Sequence, residues 1–268
     1  MKRVNCEYQK FVDEYNHVIN ASKEKGEGIM RFSLFYNFAT LADKNLSELY
    51  KEVEMQAVVA EIAGFDAVWL AEHHFECYGR MPDPLLFLAR LSALTQELEL
   101  GTAVVEAPYY QPLRLAEDVA LLDVLSKGRV RLGIGSGGAN KATEFIRFGI
   151  PFEEKTERTI EITEILRQAF DDGRVNFFGH YYSYQDIEIQ PRALRPAHQL
   201  IWLAANHTTP EIAGQHGYGL LIPRVGLSTD PDQLIQRYRN ALEGKPGRVS
   251  LSCFIFVAET EREAQERT

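Results

Sequence analysis

The sequence predicts an α/β protein, a TIM-like (β/α) barrel carrying a β-hairpin insertion, on three observations. Short apolar runs alternate with helical stretches along most of the chain. The runs are near-continuously apolar, as strands buried on both faces are. The 268 residues come close to the roughly 250 at which such barrels form a single domain. Strands joined through helices are parallel, because each crossover returns the chain in the same direction. An open doubly wound sheet is the rival arrangement, but the first strand–helix turn, YNFATLAD, lacks the glycine fingerprint that nucleotide-binding open sheets place there.

Residues 1–29 are polar, mildly amphipathic around Phe11, Tyr15 and Val18, and end in KEKGEG. They read as an N-terminal extension ahead of a barrel domain over residues 30–268. MRFSLFYNF opens that domain as a strand. Asp43 offers an N-cap to a helix from Leu46 to Ala63, which Gly64 stops. Strand AVWLAEHH (67–74), helix PLLFLARLSALTQ (84–96), strand LELGTAVV (98–105), helix PLRLAEDVALLDVLSK (112–127) and strand VRLGIGSG (130–137) repeat the unit. A short helix near Lys141 to Phe148 precedes a longer one from Phe152 to Phe170, whose leucines and isoleucines are spaced as a buried stripe. RVNFFGHYYSYQDIEIQ (174–190) alternates apolar and polar side chains about Gly179-His180, as a β-hairpin does, and Pro191 and Pro196 follow. Strand LIWLAAN (200–206), helix TPEIAGQHG (209–217), strand YGLLIP (218–223), helix DPDQLIQRYRNALEG (230–244) and strand RVSLSCFIFVAE (248–259) complete the pattern, and ETEREAQERT reads as the opening of another helix. Counted this way, the chain carries a barrel that lacks its last strand and helices.

Composition narrows the function. With 45% hydrophobic and 25% charged residues, the chain has the apolar material for a substantial core, which excludes a disordered or low-complexity protein. A formal charge of −9, with lysines and arginines scattered, argues against nucleic acid and anionic membrane and leaves a small molecule or another protein as partner. Cys6, Cys77 and Cys253 form no C-x-x-C pair, so neither a disulfide framework nor a thiolate zinc site is suggested, and a reducing cytoplasm is expected. The N-terminus has no apolar core of a signal peptide, and no run of about 18 apolar residues predicts a membrane span.

In a parallel barrel, function collects where the strands end and the βα loops converge. Those ends carry Glu72-His73-His74-Phe75, Val104-Val105-Glu106, Gly135-Ser136-Gly137-Gly138 and Ala205-Asn206-His207-Thr208-Thr209. Consecutive histidines on a strand point to opposite faces, so one of His73 and His74 is a site candidate and the other packs outward, unless both are hydrogen-bonded core residues. A metal would need His207 or Glu106 as a further ligand. No H-x-H or H-E-x-x-H spacing supports one, and no metal is expected. GIGSGGANK sets backbone N–H groups before a helix, which suits phosphate or a polar ring edge, although tight turns also need glycine. Asn206 and Thr209 stand at a helix start, where they cap the helix or bind an anion, or both. Ser136 lies outside the G-x-S-x-G nucleophile pattern. Phe35, Tyr36, Phe38, Trp69, Phe75, Tyr109 and Tyr110 line an apolar pocket or belong to ordinary core.

From Met30 to Thr268 these segments, notably AGFDAVWLAEHHF, LGTAVVEAP, EDVALLDVLSKGRVRLGIGSG and WLAANHTTPEIAGQHGYG, resemble the bacterial luciferase-like family of flavin-dependent monooxygenases. The resemblance implies a TIM-like barrel that takes reduced FMN from a separate flavin reductase and uses O₂ to oxygenate a small organic substrate such as an aldehyde or ketone. It implies His73 as catalytic base, with Glu72, His74 and Phe75 shaping the substrate pocket. It implies a non-proline cis peptide at Ala103–Val104 beneath the flavin ring. Gly135 or Ser136 stands where some members carry a cysteine. The flavin phosphate would rest on Asn206, Thr209 and the backbone about Ala205, with Arg147 or Arg158 as charged partner. A homo- or heterodimer is implied as well. Two alternatives stay open: a deazaflavin-dependent oxidoreductase, and a non-catalytic flavin-binding subunit of the same fold.

Overall fold

The computed structural model describes residues 30–38, 45–76, 79–223 and 229–253, and positions 258, 260, 262, 263 and 265. The N-terminal extension, Asp43 and most of ETEREAQERT lie outside the described residues. The chain divides into two compact units, one through Ile201 and one from Trp202.

In the first unit, β1 (Ser33–Tyr36), β2 (Ala67–Leu70) and β3 (Glu99–Thr102) lie side by side in parallel, and β3 and the two-residue β4 (Val105–Glu106) both pair with β5 (Val130–Gly135), again in parallel. Helices α1 (Leu46–Ile62), α2 (Pro84–Leu94) and α3 (Pro112–Leu125) make the crossovers. Asn45, not Asp43, caps α1: it directly precedes the first helical residue in extended conformation, and its side chain accepts the Ser47 N–H at 2.9 Å. Asp83 and Gln111 cap α2 and α3 in the same way, each followed by a proline whose missing N–H costs nothing at that position.

Sequence pattern predicts one strand over 98–105, but two form. The Ala103–Val104 peptide is cis, as the resemblance implies. Across it the register against β5 slips by one residue, from Leu100↔Val130 to Val105↔Ile134, so the strand carries an extra residue there, as at a bulge. The buried Thr102 hydroxyl bridges the gap, donating to the Gly133 carbonyl and accepting its N–H, both at 2.9 Å. Trp69 of β2 stands opposite Gly101 of β3, and its ring occupies the space a Cβ there would need.

Beyond β5, α4 (Ala142–Phe148) and α5 (Lys155–Asp171) lead into the antiparallel hairpin β6 (Arg174–Phe178) and β7 (Ser183–Glu188), where the sequence expects it. The Glu161 carboxylate of α5 fixes the hairpin's turn by accepting the N–H groups of His180, Tyr181 and Tyr182 at 2.6, 3.0 and 3.1 Å. The core of this unit joins Leu115, Ala116 and Val119 of α3 to Ile162, Ile165 and Leu166 of α5, all buried. A one-turn helix, α6 (Ala197–Leu200), follows the proline-rich stretch; the sequence reading contains no helix there, since four residues are too few for a periodic pattern.

The second unit holds β8 (Ile201–Ala204) from Trp202 onward, with β9 (Gly219–Ile222) and β10 (Val249–Leu251) parallel to it, crossed by α7 (Thr209–His216) and α8 (Pro231–Ala241). Trp202 faces Gly219 as Trp69 faces Gly101, so the same large-on-small pairing recurs. The buried Tyr238 hydroxyl ties α8 to both flanking segments, donating to the Tyr218 carbonyl at 2.7 Å and accepting the Arg248 N–H at 2.9 Å. Parallel βα alternation with one inserted hairpin is thus the observed α/β plan. None of the described helices is long and apolar enough to cross a membrane.

Candidate active site

The register sets Tyr36, Leu70 and Thr102 level, and Glu106 opposite Gly135. Asn37, the Ala71–Phe75 segment, Ala103–Val104 and Ser136 therefore leave the sheet at one end, the C-terminal end of four neighbouring strands.

His73 and His74 engage different partners. The half-buried His73 sets Nε2 2.5 Å from Asn37 Oδ1 and Nδ1 3.2 Å from Lys141 Nζ, and its N–H donates to the Met81 carbonyl. Burial first, then the Lys141 ammonium and His74, push its imidazole down to about 4, so it is neutral near pH 7. His74 turns to the opposite side, where Nε2 meets Glu72 Oε1 at 2.7 Å. The other Glu72 oxygen accepts the Glu106 N–H at 3.1 Å and the Tyr110 hydroxyl at 2.9 Å. Burial raises the Glu72 carboxyl to about 7 against the pull of those partners, and raises the Tyr110 hydroxyl as well, with the Glu72 charge adding to it.

Lys141, buried just ahead of α4, joins two further carboxylates to this end: Nζ lies 2.6 Å from Glu144 Oε1 and 3.5 Å from Glu106 Oε1. Burial alone lowers a lysine, but the hydrogen bond to Glu144 and the charges of Glu106 and Glu144 outweigh it and hold Lys141 above its ordinary range. Burial raises Glu106 in spite of Lys141. The Tyr36 hydroxyl and one oxygen of Glu144 are buried with no hydrogen-bond partner among the described residues, and the Tyr109 hydroxyl and the Glu106 carboxyl interact with each other. Among the described residues, no group of three His, Cys, Asp or Glu side chains is arranged to hold a metal ion.

An aromatic wall closes one flank. Tyr109 stacks on Phe148 at 4.3 Å between centroids, His74 meets both rings edge-on, and Phe145 packs on Tyr109 at 4.8 Å. Phe75, with a positive φ of 61°, is exposed and carries Arg147 over its ring at 5.5 Å. Gly79 (φ 65°) presses its backbone against the His73 ring, where a Cβ would collide with ring carbons. Gly79→Ala is expected to cost about 1–2 kcal/mol of stability, from the left-handed backbone and the displaced ring together; urea denaturation checks it.

The residues named from sequence fall into separate groups. His73, Glu72, His74, Ala103, Val104, Gly135 and Ser136 gather at the strand ends, with Ser136 half-buried. Arg158 is committed elsewhere, ion-paired with Glu154 at 2.7 Å and lying over the Tyr181 ring of the hairpin; Arg147 is exposed on Phe75. In the second unit, the exposed Asn206 side chain accepts the N–H groups of Thr208 and Thr209 at 2.8 and 3.0 Å, and the Thr209 hydroxyl accepts the Asn206 N–H and donates to the Ala204 carbonyl. The N-cap of α7 is Thr208, without a side-chain cap; Asn206 takes the first helical N–H from two residues further out, and the Thr209 hydroxyl is turned to the end of β8. Sequence reasoning missed Asn37, Lys141 and Glu144. The last two are three apart at the start of α4, a spacing that signals a lysine–carboxylate pair without saying that the pair is buried.

The comparisons with known proteins agree on the family. A family model described as luciferase-like monooxygenase matches residues 30–268. The chain is 27% identical over 243 residues to the oxygenase component of a flavin-dependent trigonelline monooxygenase from Acinetobacter baylyi, covering 88% of this chain and 67% of that protein. It is 29% identical over 198 residues to an alkanal monooxygenase alpha chain from Photorhabdus luminescens, covering 74% and 54%. The crystal structure of the monooxygenase RslO1 from Streptomyces bottropensis superposes with a TM-score of 0.79 at 28% identity, over 89% of this chain and 75% of that one. The chain spans about half to two thirds of the length of the curated relatives it matches.

Proposed function

The chain belongs to the luciferase-like monooxygenase family, and from that membership we propose that it acts as the oxygenase of a two-component system, taking reduced FMN from a separate flavin reductase and oxygenating a small organic substrate such as an aldehyde or ketone. The observation that carries the proposal is His73, neutral near pH 7 and half-buried between Asn37 and Lys141, at the same end of the sheet as Ala103, Val104 and Ser136.

The residues present fit a reduced flavin. Ala103, Gly135 and Ser136 are small enough to lie against a planar ring, and the orphaned Tyr36 hydroxyl, which can both donate and accept, suits the carbonyl and N–H edge of an isoalloxazine. The chemistry the bound flavin supplies is the two electrons with which one oxygen atom of O₂ goes to the substrate and the other to water. The protein's part is exclusion and proton handling. Tyr109 and Phe145 pack together on the flank, and His73, neutral at rest near pH 7, adds no standing charge to the site and can take up one proton as it is released. Within the second unit, Asn206, Thr209 and the Ala205 backbone at the start of α7 are the proposed phosphate contacts.

Incubation with NADH, a flavin reductase, FMN and ¹⁸O₂ tests it on a panel of aldehydes and ketones. The expected product carries one labelled oxygen, and turnover stops without O₂. Substrate reduction or dehydrogenation with a deazaflavin in the absence of O₂ would favour the hydride-transfer alternative, and flavin binding without turnover would favour a non-catalytic subunit.

Self-association is part of the proposal. The outer faces of α1 and α3 leave Met55, Val59, Ile62, Leu121, Val124 and Leu125 exposed, more apolar surface than scattered single residues require. Light scattering is expected to give twice the 30.5 kDa chain mass, and Ile62→Glu with Leu125→Glu to return it to one; a monomeric parent chain contradicts this.

A further inference from the structure

We propose that Lys141 is a positioning residue for His73, fixing its imidazole as the tautomer that carries its proton on Nε2 and its lone pair on Nδ1. An ammonium only donates hydrogen bonds, so His73 Nδ1, 3.2 Å from Lys141 Nζ, must present its lone pair. The ring proton then sits on Nε2, 2.5 Å from the Asn37 amide oxygen, which only accepts. The opposite tautomer sets two mismatches at once: an N–H against the ammonium and a lone pair against the amide oxygen.

The lysine is itself held. Glu144 Oε1 at 2.6 Å and Glu106 Oε1 at 3.5 Å take its other protons and keep it charged. Among the described residues, the charges acting on the imidazole come from Lys141 and then His74; Glu144 and Glu106 stand behind the lysine and Glu72 behind His74, and Asn37 from the end of β1 is neutral. The arrangement therefore does two things that a lone buried histidine does not. It picks the tautomer, and it opposes a second proton on the ring, because imidazolium would face the ammonium directly.

The tautomer itself does not depend on the flavin; only its use in oxygenation rests on the proposed function. The test uses ¹⁵N-labelled full chain without added flavin, with His73→Gln to assign the resonances. Two-bond ¹H–¹⁵N correlation at pH 7 is expected to show His73 with a protonated Nε2 and an unprotonated Nδ1. Lys141→Met should give averaged nitrogen shifts and move the His73 titration midpoint up by about one pH unit, whereas Lys141→Arg, which keeps a donor and a charge, should restore the parent pattern. A parent His73 protonated on Nδ1, or a folded Lys141→Met protein with unchanged His73 shifts, overturns the inference. The parent spectrum decides the tautomer even where Lys141→Met does not fold. If the spectrum is as expected but no substrate is oxygenated, the functional reading fails and the tautomer stands.

Discussion

Replacing His73 with alanine is expected to lower kcat for oxygenated product by about 10²–10⁴-fold, the range that one positioned acid–base group contributes, while FMN affinity changes little. The expectation comes from where the ring is held and in what state. Burial and the Lys141 ammonium keep it neutral near pH 7, and Asn37 and Lys141 hold both nitrogens. Alanine removes the proton carrier and leaves the aromatic wall of Tyr109, Phe145 and Phe148 in place. Product formation and flavin oxidation are measured separately, because loss of proton handling should uncouple them: flavin oxidation continues while product falls. Equal oxygenation by the parent and His73→Ala proteins removes His73 from the reaction.

The second large effect is on stability against pH, where Glu72 and His73 act in opposite directions. Burial raises Glu72 from 4.5 to about 7. The folded state then keeps that proton to higher pH than the unfolded chain, so its stabilising contribution is complete below pH 4.5 and is lost as pH rises through about 7. For so buried a carboxyl the span is worth about 3 kcal/mol. His73 is lowered from 6.5 to about 4. Its contribution is complete above pH 6.5 and is lost as pH falls through about 4; solvent screening of the half-buried ring reduces it to about 2 kcal/mol. The two limbs largely cancel between pH 4.5 and 6.5 in the parent. Glu72→Gln should expose the histidine limb, with stability climbing as pH rises through that window. His73→Ala should expose the carboxyl limb, with stability falling instead. Urea denaturation across the window reads both slopes, and variants that follow the parent's pH dependence would show that neither group titrates as described.

How much of this was legible in the sequence depends on the reach of each signal. The βα order was readable because long apolar helix faces and near-continuous apolar strands repeat, and the hairpin because period-two alternation surrounds Gly179-His180. The split of 98–105 into two strands was not, since nothing in LELGTAVV marks a one-residue slip in register against β5. Asp43 and Asn45 are equally good caps by residue type, and only the position of the first helical residue selects Asn45. At the site, AEHHF pointed to His73 through its place at a strand end. Asn37, Lys141 and Glu144 meet it only through tertiary structure: Asn37 lies 36 residues before His73 and Lys141 lies 68 after it. A lysine and a glutamate three apart on a helix otherwise read as a solvated surface pair.

Titration of the purified chain with reduced FMN under anaerobic conditions, followed by thermal unfolding, tests whether these strand ends hold a flavin. A ligand held by the folded state alone adds stability by mass action, about 2.7 kcal/mol at a hundredfold excess over Kd. The melting temperature is expected to climb with FMN concentration, and to climb less when Ser136 or Ala103 is replaced by a bulky residue. A melting temperature unmoved by reduced or oxidised FMN would contradict a flavin site at these strand ends.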